Sequence, residues 1–408
     1  MSLNTRTVNA APPASSSAPT LLAPLRRLLG RTRHGRLALA LPGGGLIEAA
    51  GSEPGPQAGL NLHRWRALWR LAVGGDLGLA LSYRDGDWDS PDLTALLEFG
   101  AANESAWGSL LAGSGPARWL ARLAHRARAN TRHGSRHNIA FHYDLGNAFY
   151  RQWLDDSMLY SSALYADASG DTLEAAQARR LDRIVELLDV PEGGEVLEIG
   201  CGWGTLAATL ARQRGARVTG LTLSTEQLAF ARDRAEAWGV ADRLDLRLQD
   251  YRDVQGHFDR IVSIEMIEAV GEAYWPAYFA TLRDRLKPGG VAVLQAITIA
   301  DEQFASYRRG ADFIQRCIFP GGMLPCPRVL REQAAQAGFV IEEEQTFGPS
   351  YARTLAEWRR RFLANWPAIE TLGFDEAFKR LWTYYLCYCE AGFNAGRVDV
   401  GLYKLRPG

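Results

Sequence analysis

The sequence predicts an α/β protein, with a mixed, mostly parallel sheet wrapped by helices and a smaller α+β domain in front of it. Three observations carry this prediction. From residue 196 onward, short β-rich apolar runs alternate with helix-period segments, the pattern of parallel strands covered on both faces. One of those strands runs into Gly200, Gly202 and Gly204 and then a helix. The 408 residues, 47% hydrophobic and 23% charged, supply core material for two or three domains and exclude a disordered, collagen-like or coiled-coil protein.

In sequence order, residues 1–22 are rich in Ala, Pro and Ser and predict a disordered tail. Residues 23–114 read as the small α+β domain, facing lipid or membrane. Within it GRLALALPGGGLIEA and LGLALSYRDGDWDS suggest strands, with RDGD a tight turn. LHRWRALWRLAVGG and SPDLTALLEFGA suggest short helices, the second capped by Ser90 or Asp92. Residues 115–140 hold six Arg, three His and no acid. Arg118, Arg122 and Arg126 fall at four-residue steps on one face and Trp119, Leu120 and Leu123 on another. Such a basic amphipathic helix suits an anionic membrane surface, and a solvated linker helix is the equal alternative. The segment lacks interleaved aromatics, so nucleic acid is not expected as a partner. Residues 141–408 form the catalytic domain. Its expected strands are Val196–Ile199, Val218–Leu223, Leu244–Leu248, Ile261–Ile264 and Val291–Ile299, with Val340–Glu344 and Val398–Leu405 as edge strands. Helices are expected at Thr205–Arg214, Thr225–Trp238 and Trp275–Leu286. Aromatic-rich stretches near 300–330 and 347–397 interrupt the scheme after strand ends, where substrate walls and lids are built.

Charge is balanced overall, with Lys+Arg and Asp+Glu both 46, but not locally. Residues 1–140 carry 16 Arg, no Lys and 9 acids, a net of +7, so the remainder is −7. A basic front on an acidic back again points to an anionic surface. Five Cys, an odd number confined to the back half, do not make a disulfide scaffold, and Cys387-x-Cys389 lacks the partners of a zinc site. No metal is expected. No run of 18 apolar residues occurs and the N-terminus is a poor secretory signal, so a reducing cytoplasm is the expected compartment.

EVLEIGCGWGTLAATLA is the most informative segment. Its glycines admit positive φ and leave no Cβ between backbone and ligand, and the following helix offers unpaired N–H groups. The G-x-G-x-G spacing, with Glu198 before it, differs from the G-x-G-x-x-G of dinucleotide enzymes. It resembles the first motif of class I (Rossmann-like) S-adenosylmethionine-dependent methyltransferases. The second strand reads VTGLTLSTEQ and ends without the acid such enzymes use for the ribose, leaving Thr222 and Gln227 as neutral partners. Ser224 and Gln227 also have capping-box spacing. After the third strand, Asp250 stands where it could accept from the adenine amino group, or cap a turn before Arg252.

Taken together, HYDLGNAFYRQWLDDSMLYSSALY, VLEIGCGWG, LTLSTEQ, DRIVSIEMIEAVG, LKPGG, IFPGGMLP, FGPSYARTLAEWRRRF and YYLCYCEAGF resemble the cyclopropane-fatty-acyl-phospholipid synthases and mycolic acid cyclopropane synthases over roughly residues 130–408. The resemblance implies a methyltransferase domain with lipid-pocket insertions. The implied activity is transfer of a one-carbon unit from S-adenosylmethionine to a cis double bond of a phospholipid acyl group. A carbocation forms, and bound bicarbonate removes a proton as the cyclopropane ring closes. Aromatic faces would steady such a cation, and Tyr307, Phe313, Phe319, Tyr351 and Phe393 are candidates. Motif matching makes Tyr160, Ser161, Gly200, Gly202, Gly204, Thr222, Leu223, Gln227, Asp250 and Tyr251 cofactor contacts. It makes Glu268 the glutamate that holds bicarbonate, Tyr351 its partner, and Cys389 a cysteine near the site with a packing role. Glu265, one helical turn earlier, would share a helix face with Glu268. His142, Tyr143, Asp144, Gly146 and Asn147 would help cover the cofactor, or cap a helix.

Two positions depart from the family pattern. Ser162 stands where a Cys is common, and Gln295 stands where a His is. Gln hydrogen-bonds an anion but does not change charge near neutral pH. Backbone N–H groups of Ser162 and Ile297 remain available to an anion. The departures make a C-methyltransferase of acyl groups, giving a methyl- or methylene-branched product, the alternative to ring formation. The expected partners are unsaturated phospholipid acyl chains and the inner face of the membrane, bound peripherally, and a homodimer is possible.

Overall fold

The computed structural model describes residues 22–108, 145–166 and 170–408. Most of the expected tail, the whole basic segment 115–140, and His142, Tyr143 and Asp144 lie outside the described residues.

The catalytic domain is built on a seven-stranded sheet. Its strands are β5 (Glu195–Ile199), β6 (Arg217–Thr222), β7 (Leu244–Leu248), β8 (Phe258–Ile264), β9 (Leu286–Ile299), β10 (Phe339–Thr346) and β11 (Val398–Pro407), in the spatial order β10-β11-β9-β8-β5-β6-β7. β5 is an interior strand: Val196, Leu197 and Ile199 are buried on its two faces, and it pairs in parallel with β6 and β8. The expected parallel strands are all present. Val398–Leu405 is not an edge strand: β11 lies between β9 and β10, antiparallel to both. It buries Val400, Leu402, Tyr403 and Leu405 almost completely, an apolar load on both faces that requires neighbours on both sides. β10, with Glu342–Glu344 exposed, is left at the rim.

Helices Thr205–Arg214, Thr225–Ala237 and Trp275–Arg285 link the strands as the sequence predicts, and the Gln227 amide donates to the Ser224 hydroxyl as an N-cap at 3.3 Å. The two interrupting stretches are helical. Gly348–Ala364 and Glu376–Asn394 pack together, and their rings meet the segment after Gly146: Phe149, Trp153, Trp358 and Trp382 form edge-on contacts. This aromatic layer covers the C-terminal ends of the parallel strands, the end where α/β sheets carry their sites.

The front domain has a four-stranded sheet ordered β2-β1-β3-β4, with β1 (His34–Ala40), β2 (Leu46–Ala50), β3 (Glu53–Leu62) and β4 (Trp88–Asp89). Here the sequence reading needs two corrections. LGLALSYR, expected as a strand, is the second half of helix Arg66–Arg84, burying Ala80, Ser82 and Tyr83. An apolar run of that length fits either period, and packing decides. β3 was not anticipated because Pro54 and Pro56 disguise it. RDGD does turn tightly, with Gly86 at φ +70° and its amide donating to Tyr83 O at 3.0 Å. Asp92, not Ser90, caps helix Leu93–Trp107. The domain docks on helix Glu376–Asn394: Arg380 donates to Trp88 O at 2.6 Å, Thr94 to Glu390 at 3.1 Å and Asn394 to Glu98 at 2.7 Å.

Candidate active site

One cavity of about 1150 Å³ runs from the glycine turn after β5 into the front domain, where Leu29, Leu39, Leu60 and Leu62 line it. The turn end is built for a polar ligand. Gly200 and Gly202 line it, as do Thr222, Leu223, Gln227 and Tyr251. Gly202 has φ +53°, and a Cβ there would meet nothing within 4 Å, so its missing side chain is open cavity. The Thr222 hydroxyl donates to Gln227 Oε1 at 2.9 Å, a neutral pair at the end of β6. Glu198 Oε2, at the end of β5, is buried without a hydrogen-bond partner among the described residues, and Glu198 lines the same cavity. A buried, unpartnered carboxylate oxygen beside an open glycine cradle fits a cationic, nucleoside-bearing ligand such as S-adenosylmethionine.

Tyr160 and Ser161 line the cavity from the opposite side, and the Tyr160 and Tyr385 hydroxyls share a hydrogen bond at 2.8 Å. Two expected cofactor contacts have other duties. Gly204 does not reach the cavity. It starts helix Thr205–Arg214 in the left-handed region, and a Cβ would meet that of Ala231 at 2.8 Å. Asp250 turns both carboxylate oxygens onto Arg252, at 2.8 and 2.6 Å, and caps the turn. Its neighbours Gln249 and Tyr251 face the cavity instead.

At the other wall the structure gathers a carboxylate cradle, but around a different glutamate. Glu265 is not on a helix with Glu268. It follows the last residue of β8 with φ +50°, and the helix begins at Ile267. Glu265 Oε1 accepts from the Ser161 hydroxyl at 2.8 Å, the Ser162 amide at 3.2 Å and Gln295 Nε2 at 2.7 Å, and Oε2 accepts from the Tyr351 hydroxyl at 2.8 Å. Glu268 Oε1 takes the Ile297 amide at 2.5 Å, and its Oε2 has no partner among the described residues. Apart from Glu268 itself, every group expected to hold bicarbonate is therefore engaged by one of the protein's own carboxylates. Ser162 N, Gln295 and Tyr351 serve Glu265, and Ile297 N serves Glu268. The residues present do not fit a dissolved bicarbonate.

Sequence reasoning missed Arg180. It is almost wholly buried and donates to Ser161 Oγ at 3.1 Å and Gln295 Oε1 at 3.2 Å. Burial pushes its guanidinium down, and the charge of Glu265 is the largest opposing pull. The signal was available: Leu173, Ala176, Arg180, Ile184 and Leu187 recur at helical spacing, all buried, so an arginine sits on an apolar stripe. Cys389 lines the cavity, and burial pushes its thiol well up, which keeps it a thiol with a packing role. Of the aromatic candidates, Tyr307, Phe319, Tyr351 and Phe393 line the cavity, with Tyr351 and Phe393 stacked at 4.6 Å. Phe313 is core, packed on Tyr384 and Tyr388. Gly146 begins a short helix, and the Asn147 side chain accepts from the Trp203 indole at 2.6 Å, fastening this segment over the glycine turn.

Burial pushes the Glu198 and Glu268 carboxyls up to about 8, with Glu265 adding to the rise at Glu268. Both are raised acids, so the folded protein holds protons that the unfolded one has released. Stability then falls as pH rises from near 4.5 toward 8, by about 1.4 kcal/mol per pH unit for each group. Without cofactor, melting temperature should drop across pH 5.5–8. E198Q and E268Q should each flatten that slope; equal slopes in wild type and variants would show that neither group is protonated in the fold.

The comparisons with known proteins agree on one family. The family described as "Mycolic acid cyclopropane synthetase" matches residues 130–402. The protein is 39% identical over 394 residues to the tuberculostearic acid methyltransferase UfaA1 of Mycobacterium tuberculosis, covering 93% of this sequence and 90% of that one. It is 37% identical over 339 residues to the cyclopropane-fatty-acyl-phospholipid synthase of Escherichia coli, covering 81% and 83%. Among solved structures, mycolic acid cyclopropane synthase CmaA1 complexed with SAH and CTAB superposes with a TM-score of 0.62 at 30% identity, covering 66% of this protein and 97% of that one.

Proposed function

The protein belongs to the mycolic acid cyclopropane synthetase family, and from that premise we propose that it methylates a double bond in an acyl group of a membrane phospholipid and leaves a methylene branch. The coarser statement stands on the comparisons: this is an S-adenosylmethionine-dependent methyltransferase acting on lipid acyl chains. When bound, S-adenosylmethionine supplies an electrophilic methyl. The protein's residues supply the place where an alkene, a weak nucleophile, meets it without water. The observation that carries the reading is the continuity of the cavity, polar at Gly200 and Gly202 and leucine-lined in the front domain. An acyl tail threaded along it keeps its apolar surface out of water, at roughly 0.8 kcal/mol per buried CH₂.

The alkene's π pair would take the methyl of S-adenosylmethionine held against Gly200, Gly202, Thr222 and Gln227, releasing a neutral thioether and leaving the positive charge on the neighbouring acyl carbon. Tyr351, Phe393 and Tyr307 line the cavity, where aromatic rings would steady such a cation. A hydride shift from the methylated carbon gives a tertiary cation, and loss of a methyl proton then leaves a methylene branch on the chain. The similarity to a methyltransferase along 93% of the sequence, and Gln295 at the position of the family His, support this product. A saturated methyl branch would require a hydride donor.

The second reading is ring closure, supported by the similarity to the Escherichia coli synthase. Both products add CH₂, so the test is structural. Wild-type enzyme is incubated with S-adenosylmethionine and anionic vesicles of monounsaturated phospholipid, and the extracted acyl groups are read by NMR. Olefinic methylene signals are expected; cyclopropane ring protons would overturn the product in favour of ring closure. The same vesicles test the membrane surface. We place it on the basic segment, so the triple charge reversal of Arg118, Arg122 and Arg126 should leave the protein unbound at low salt, and unchanged sedimentation would remove the idea.

A further inference from the structure

We infer that Glu265 is the proton acceptor of this reaction, a carboxylate built into the protein in place of a dissolved anion. The inference rests on the reading above, because it needs a cation whose methyl loses a proton. Three features of the geometry carry it.

First, Glu265 is held in an unfavourable backbone conformation. A non-glycine residue at φ +50° costs roughly 1–2 kcal/mol, and such outliers persist where surrounding structure fixes them. Here its amide donates to Gln295 O at 2.8 Å, which locks the backbone while the side group reaches the cavity. Second, the carboxylate is aimed. Donors from the Ser161–Ser162 segment, from β9 and from helix Gly348–Ala364 fix both oxygens, three on Oε1 and one on Oε2. Oε2 carries the fewer bonds, and it lies beside Tyr351, whose ring stacks on Phe393 at the cavity wall. Third, the cradle contains donors only. Gln295 and the Ser162 amide cannot take a proton, and burial holds the Tyr351 phenol well up, so it stays a donor. Arg180 balances the negative charge through Ser161 and Gln295. Glu268 is the weaker candidate: no described donor aims its Oε2, and burial with the charge of Glu265 pushes its carboxyl up to about 8.

The step balances. The carbon–hydrogen bonding pair moves into the empty orbital of the tertiary cation and forms the π bond of the methylene. The proton goes to a Glu265 carboxylate oxygen, and cation and carboxylate are both neutralised. The proton returns to water when the lipid leaves.

The experiment has two arms. In bicarbonate-free buffer, wild-type turnover should be undiminished. E265Q should lose roughly 10²- to 10⁴-fold, the usual contribution of a positioned base, while binding S-adenosylhomocysteine in calorimetry as wild type does. E265A, which vacates the cradle, should regain turnover with formate or bicarbonate. Wild-type turnover that disappears without bicarbonate, or an E265Q that turns over normally, would overturn the inference. The second arm needs no turnover: ¹³C-bicarbonate is titrated by NMR into wild type and E265A, each with S-adenosylhomocysteine. Binding to E265A alone is expected, and binding to wild type sinks the inference. A wild type that methylates no unsaturated lipid would instead sink the functional reading, and the titration still decides the role of Glu265.

Discussion

Arg180→Met should cost about 1–3 kcal/mol of stability, because it takes a donor away from Ser161 Oγ and Gln295 Oε1, both on buried residues. Arg180 is 1% exposed, so water cannot replace the lost donor without opening the fold. The same change frees Ser161 and Gln295 from the guanidinium, and both of them orient Glu265. Turnover should therefore fall with stability. The diagnostic is the double variant. R180M/E265Q removes both charges and should melt higher than R180M alone, since the charge of Glu265 is the largest attraction acting on the Arg180 guanidinium and the single variant leaves it unopposed. Urea unfolding of the four proteins measures the coupling. Additive single effects would show that the two groups do not stabilise each other.

Gly202→Val should weaken cofactor binding by 100-fold or more, about 2.7 kcal/mol, while leaving the fold standing. The branched side group meets no protein atom within 4 Å of its Cβ, so it fills the space assigned to the cofactor. Its conformational cost at φ +53° is roughly 1–2 kcal/mol. Gly204→Ala supplies the contrast. That Cβ would press on Ala231 at 2.8 Å, outside the cavity, so it should lower the melting temperature more than it changes affinity. Calorimetry with S-adenosylhomocysteine and thermal melts separate the two effects. Near-wild-type affinity in G202V would place the cofactor elsewhere.

Much of the molecule is legible in its sequence, and the reasons differ by region. β5, the glycine turn and helix Thr205–Arg214 are contiguous, so period and turn chemistry reveal them directly. Ser224 caps its helix as its spacing predicts. The front domain is harder to read, since LGLALSYR satisfies two periods and β3 hides behind prolines. Asp250 illustrates another limit: its two candidate duties were both visible, and the structure shows the one toward Arg252.

By itself the sequence determined the order of the parallel strands and their linking helices in the catalytic domain, the glycine cradle with Thr222 and Gln227, and the family, because each of these is written in short stretches whose own spacing sets their shape. Only the tertiary structure decided which carboxylate occupies the anion cradle. Ser161, Gln295 and Tyr351 stand 104, 30 and 86 positions from Glu265, and their convergence depends on how β8, β9 and two helical segments pack. A left-handed backbone at one residue turned an apparent helix neighbour of Glu268 into the group that all of these donors face.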